Sequence, residues 1–357
     1  MDFTLTESEA AVRDAAAAIF EGHGAVDRLL EVELSLERFD RTLWDELARA
    51  NLLGIAIPEE HGGNGLGMTE VCLLLEQQGR QVASVPLLPT LLAAMAVAEL
   101  GDDRQQAELL PRVASGQSVL SIAVHKAPGA QPASVSGGRL TGAKVPVPGA
   151  SLCDRLLVSA TGADGPALWL VDPQGGGVTV TPIETTDRQP AAEVRIEDEP
   201  CERLGGASGL RWLLQRYAVA LCALSVGVCE EALAMAAEYT SSRLQFGKPL
   251  STFQGVAMRA ADAYIDIEAM RVTMLLAAQR LSEVADAGAE VEVAAWWTAD
   301  AGHRVVHTTQ HLHGGMGADT SYPVHRYFLW GKQIELLLGG AGRRLAALAH
   351  ELVPVAT

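Results

Sequence analysis

A chain of 357 residues, 48% of them hydrophobic, has enough apolar side chains to build two or three cooperating cores, which excludes disorder as its default state. The formal net charge of −17, with a pI near 4.9, excludes general charge attraction to a phosphate backbone, so nucleic acid is not an expected partner. Any anionic ligand has to be gripped locally.

The opening Met1-Asp2-Phe3-Thr4-Leu5 has neither the basic nor the apolar segment of a signal peptide. Thr6-x-x-Glu9 forms a capping box, in which hydroxyl and carboxylate each satisfy an orphan amide, and predicts a helix through Phe20. Helical periods follow near Asp40 to Asn51, Gly67 to Gln81 and Leu87 to Leu100. The apolar stretch Val85 to Leu100 is interrupted by Pro86 and Pro89 and is too short for a bilayer, so a core helix and no membrane contact are expected. Residues 1–116 therefore read as an N-terminal all-α domain.

Near Ser118 the period shortens. β-branched or alternating runs at Val119 to Val124, Arg155 to Ser159, Ala167 to Val171, Val178 to Pro182 and Glu193 to Ile196 alternate with turns such as Ser136-Gly137-Gly138 and Gly175-Gly176-Gly177. Residues 117–205 are thus expected to form an antiparallel β domain, a small barrel or sandwich. After Gly205-Gly206 the helical period returns over Leu210 to Ser242, Thr252 to Ala287, Val291 to Leu312 and Tyr327 to Val353, which predicts a four-helix bundle at 206–357. The fold class is α+β in the order α, β, α bundle. Five cysteines, Cys72, Cys153, Cys201, Cys222 and Cys229, are scattered without a C-x-x-C pair, as expected of reduced thiols in the cytoplasm.

Several segments carry chemistry. The glycine cluster of Gly54 to Gly67 follows a helix rather than a strand, so it lacks the context of a dinucleotide fingerprint and reads as a structural loop. Arg243-Leu244-Gln245-Phe246-Gly247-Lys248-Pro249-Leu250, with Phe253-Gln254, puts a guanidinium, an aromatic ring and amides at a corner between two helices. Such a corner can hold a pyrophosphate and stack a nucleotide; a polar connection with a proline leading into the next helix is the plainer alternative. In His311-Leu312-His313-Gly314-Gly315-Met316-Gly317 the glycines allow close backbone approach to an anionic ligand, and a helix C-cap is the alternative. His303, His307 and His311 recur at i, i+4 and i+8, but three in line cannot converge on one ion, and no metal site is expected. Glu230-Glu231 reads as exposed helix carboxylates. Neither a G-x-S-x-G elbow nor a P-loop is present.

Together these segments resemble the acyl-CoA dehydrogenase family over essentially the whole chain: the Leu-Thr-x-x-Glu opening, Pro58-Glu59-Glu60 before Gly62-Gly63-x-Gly65, the α/β/α order, the Arg243 corner with Gln254, and the Gly314-Gly315-x-Gly317 segment followed by Tyr322-Pro323. The resemblance implies FAD lying across a subunit boundary, an acyl-CoA substrate and electron-transfer flavoprotein as acceptor. It implies FAD contacts from Arg243, Gln245, Phe246, Phe253, Gln254, His311, Gly314 and Gly315, with His311 standing where the family usually has glutamine. The family's catalytic glutamate aligns with Leu338, and the alternative site used by some relatives aligns with Tyr217; neither residue is a base. Glu335, about one turn before Leu338, is the nearest substitute. The family's flavin-ring motifs are replaced by Val124-His125-Lys126-Ala127-Pro128-Gly129-Ala130 and Val145-Pro146-Val147-Pro148-Gly149-Ala150, which lack the hydroxyls. The pattern is similar to the smaller subunit of actinobacterial α2β2 acyl-CoA dehydrogenases acting on steroid-side-chain CoA thioesters. It implies a homologous partner carrying the glutamate. A self-sufficient homotetramer using Glu335 and a noncatalytic scaffold on the same fold are the competing expectations.

Overall fold

The capping box at the N-terminus forms as read: in the computed structural model Thr6 N donates to Glu9 Oε2 at 2.7 Å and Glu9 N to Thr6 Oγ1 at 3.3 Å, opening α1 (Glu7–His23). The structure describes residues 4–284 and 286–353. Residues 1–3, Ala285 and 354–357, which the N-terminal reading, the second bundle helix and the C-terminal range touch, lie outside the described residues. The N-terminal helices continue with α2 (Val26–Leu34), α3 (Arg41–Arg49), α4 (Met68–Gln81), α5 (Leu87–Leu100) and α6 (Asp103–Ala114). Two of these, α2 and α6, are additions to the expected set; α6 starts at its own capping box, Asp102 with Gln105. The core expectation for α5 holds, since Leu87 to Ala94, Ala96 and Val97 are all buried.

The β segment contains β1 (Leu120–Ala123), β2 (Ser134–Ser136), β3 (Arg139–Pro148), β4 (Arg155–Gly162), β5 (Gly165–Val171), β6 (Val178–Ile183) and β7 (Ala191–Gly205). Its sheet is mixed rather than purely antiparallel: β1 pairs β4 in parallel, Leu120 opposite Arg155, and β2 meets β4 in parallel at Ser134 and Thr161. All other pairings are antiparallel, and because β5 pairs both β4 and β7, the path β4-β2-β3-β7-β5 returns on itself. Gly142 and two prolines in β3 mask its alternation in the sequence, which is why β3 and its short partner β2 were not expected.

The C-terminal helices are α7 (Ala207–Ser242), α8 (Gln254–Glu283), α9 (Gly288–His313), α10 (Val324–Leu338) and α11 (Ala341–Leu352); the short strands β8 (Leu244–Gln245) and β9 (Lys248–Pro249) sit between α7 and α8. The expected fourth bundle helix is therefore two helices. Gly339 and Gly340, at φ 84° and 81°, adopt a left-handed backbone that no helix continues through. The second helix stops at Glu283 instead of Ala287. By length and composition α7 could cross a membrane, but most of its apolar window is buried within the protein.

Packing divides the chain into two compact units. Of the described residues, one holds those up to Val26, Cys72–Ala83 and those from Ala218 onward; the other holds Asp27–Val71 and Ser84–Tyr217. In the first, α4 and α7 cross at glycines: a Cβ on Gly227 would lie 1.9 Å from the Glu76 carbonyl, and one on Gly79 would lie 2.1 Å from that of Leu224. In the second, the Thr90 hydroxyl of α5 donates to the Leu120 carbonyl of β1 at 3.0 Å.

Candidate functional site

The Arg243 corner is a β-hairpin. Leu244 pairs with Pro249 and Gln245 with Lys248, leaving Phe246 and Gly247 as a two-residue turn with φ 53° and 79°. Both positive φ values match a type I′ turn, where Asn or Gly is usual and a phenylalanine is strained. Its ring is 91% exposed. The strained position thus holds an aromatic side chain in solvent. Phe246 meets Phe253 edge to face at 6.2 Å, and the Lys248 ammonium lies 4.4 Å from the centre of the Phe253 ring.

Arg243 is exposed, and among the described residues its guanidinium makes no hydrogen bond or ion pair, in a chain of net charge −17. Gln245, Gln254 and His311 are likewise exposed, with side chains free of partners among the described residues. His311 lies in the last turn of α9, which Gly314 ends at φ 57°, ψ −132°, a region open only to glycine. A Cβ on Gly314 or Gly315 would meet nothing within 4 Å, so this backbone is open to an approaching ligand. The hairpin base and the glycine turn belong to the same unit.

An unpaired guanidinium, free amides, an offered ring and an open glycine turn fit the ADP end of a dinucleotide.

The residues at the base positions behave differently. Leu338, the last residue of α10, is 0% exposed, and its carbonyl accepts from Arg344 Nε at 2.6 Å. Glu335 is not a free acid: Lys332 Nζ lies 2.5 Å and His303 Nδ1 3.0 Å from its Oε2. Burial raises its carboxyl, but these hydrogen bonds outweigh burial and hold it below the ordinary value, the wrong direction for a base. His303 meets His307 at 4.3 Å between centroids with planes tilted by 37°, and among the described residues no group of three potential ligands could hold a metal ion. Glu230 and Glu231 are more than exposed carboxylates. Arg80 reaches them at 3.1 and 3.4 Å, and Arg271 bridges Glu230 to the buried Glu76 at 2.9 and 2.6 Å.

In the other unit Tyr217 is 6% exposed, with its hydroxyl 3.2 Å from His125 Nε2. In the same unit Lys144 is buried with its ammonium donating to Ser159 Oγ at 2.8 Å, and burial lowers its pKa to about 8. Nothing in the local sequence marks Lys144, because its burial follows from the pairing of β3 with β7.

A family model described as the acyl-CoA dehydrogenase N-terminal domain matches residues 6–117, and one described as its C-terminal domain matches residues 205–352. The acyl-CoA dehydrogenase FadE27 of Mycobacterium tuberculosis is 37% identical over 99% of this chain and 99% of its own. Among solved structures, the Tcur3481-Tcur3483 steroid ACAD variant is similar at 46% identity with a TM-score of 0.93, covering 98% of both chains. The ChsE4-ChsE5 complex from Mycobacterium tuberculosis is similar at 37% identity with a TM-score of 0.96, covering 100% of both.

Proposed function

The chain belongs to the acyl-CoA dehydrogenase family, an FAD-using family of oxidoreductases, and on that premise we propose that it is the base-lacking subunit of a heteromeric acyl-CoA dehydrogenase acting on a steroid-side-chain CoA thioester. The contrast within one unit carries the reading: the side chains of Arg243 and Gln245 are exposed and without partners among the described residues, while the family's base position is a leucine with no exposure. FAD, when bound, would supply a hydride acceptor for the substrate β-hydrogen. Towards it Arg243 supplies a positive charge for the pyrophosphate. Phe246 and Phe253 offer ring faces, Gln245, Gln254 and His311 supply polar contacts, and Gly314-Gly315 leaves room for close backbone approach.

Leu338 accepts no proton, the Tyr217 hydroxyl is engaged with His125, and Glu335 is committed to Lys332 and His303. The α-proton therefore goes to a carboxylate on a homologous partner subunit, with electrons leaving to electron-transfer flavoprotein. The printed descriptions of two similar structures, a steroid ACAD and a two-component complex, support the substrate class and the partner. The five cysteines, none in a disulfide among the described residues, fit a reducing cytoplasm. Expression of the chain alone and together with a homologue carrying the glutamate is the test. We expect bound FAD and turnover of a steroid-side-chain CoA thioester only in the pair; full FAD loading and turnover by the lone chain overturns the proposal.

A further inference from the structure

The hairpin and the glycine turn can grip one ligand only if their separation is fixed, and three rings lie between the elements that carry them. His313, the last residue of α9, is 1% exposed. It stacks on Tyr239 of α7 at 4.9 Å between centroids with planes 27° apart, and its other neighbour is Tyr322 at 5.3 Å. Tyr239 and Tyr322 meet edge to face at 6.3 Å. Each ring is tied by backbone to one part of the candidate site. Arg243 N donates to the Tyr239 carbonyl at 2.9 Å, and Leu250 N to the Arg243 carbonyl at 3.0 Å, so Tyr239 sits under the hairpin base. His313 directly precedes Gly314, and its Nδ1 donates to the Thr309 carbonyl at 2.7 Å, which sets the plane of the ring. Tyr322 closes the far end of the same loop, its amide bound to the Asp319 carbonyl at 3.1 Å and its carbonyl accepting from His325 Nδ1 at 2.7 Å.

We propose that His313, held between Tyr239 and Tyr322, is a positioning residue that clamps the neck of the Gly314–Ser321 loop to the last turn of α7 and so presets the spacing between Arg243 and Gly314-Gly315 for the ADP end of FAD. This rests on the cofactor reading above. The ring cluster acts by removing one relative motion that binding would otherwise have to arrest. Its planar surfaces matter more than its charge, since burial lowers the His313 pKa and keeps the imidazole neutral at physiological pH.

The experiment uses the assembled complex of this chain with its partner, reading FAD dissociation by the recovery of flavin fluorescence alongside melting temperature and subunit assembly. His313→Ala is expected to weaken FAD retention on the order of tenfold while assembly persists. His313→Phe, which keeps a ring in the stack, is expected to stay within about twofold of the unaltered protein. Tyr322→Leu, at a half-buried position, is expected to repeat the loss and serves if His313→Ala does not fold. Unchanged retention in both His313→Ala and Tyr322→Leu overturns the clamp, and so does a loss in His313→Phe as large as in His313→Ala. Arg243→Ala separates the two ideas: a loss of FAD there with none in the ring variants sinks the clamp alone. Retention in Arg243→Ala sinks the cofactor reading, and the clamp with it.

Discussion

Glu335 shows how far a single side chain can be read before its neighbours are known. Its place one turn before Leu338 is visible in the sequence, but its partner His303 lies 32 residues away on another helix, and only the packed structure pairs them. Because its carboxyl is held below the ordinary value of 4.5, its contribution to stability is fully present above that pH and is lost as pH falls through the lower folded value. Glu335→Gln should therefore melt below the unaltered protein at neutral pH, with the gap closing under acid conditions. Turnover of the assembled complex should stay within about twofold, since the residue is not placed to take a substrate proton. A large loss of kcat would instead make Glu335 the base. Phe246 gives the opposite lesson. The exposed aromatic is legible in the sequence, but its left-handed backbone is not. Replacing Phe246 by Gly should stabilise the isolated chain by about 1 kcal/mol in urea titration, through relief of the left-handed strain, while weakening FAD retention in the complex.

Among the elements, those whose boundaries carry local chemistry were legible. The Thr6–Glu9 box fixes the start of α1, and glycine turns bound the strands. β7 was seen only over Glu193 to Ile196, because the charged Asp198-Glu199 and Pro200 look like a turn; its 15 residues persist because β3, β5 and β6 all pair with it. The α10–α11 break is hidden in the sequence for the converse reason: apolar residues keep helical spacing through Gly339-Gly340, so periodicity masks the glycines. Close helix crossing is equally silent in sequence. Gly227 is an ordinary small residue of an apolar helix until α4 puts the Glu76 carbonyl 1.9 Å from where its Cβ would be. Gly227→Ala should cost about 1–3 kcal/mol in chemical denaturation, as overpacking of a tight interface does. A neutral result would mean that α4 and α7 separate easily.

At the scale of the whole molecule, the net charge of −17 works against the folded state through self-repulsion, although it keeps the chain soluble. Raising salt from about 20 to 150 mM, where the Debye length falls to about 8 Å, should raise the melting temperature by a few degrees. A fall would show that the ion pairs of Arg80 and Arg271 outweigh that repulsion. The order of α, β and α segments follows from composition and period, whereas the division into two packing units, neither contiguous in sequence, does not. The burial of Leu338 has an energetic consequence as well. A glutamate restored there by mutation would arrive in a site closed to water and followed by two left-handed glycines, and an unpaired buried carboxylate costs several kcal/mol. A single Leu338→Glu substitution is therefore expected to destabilise the chain. On the proposed division of labour, reliance on a partner's base is held in place by the packing of a single helix end.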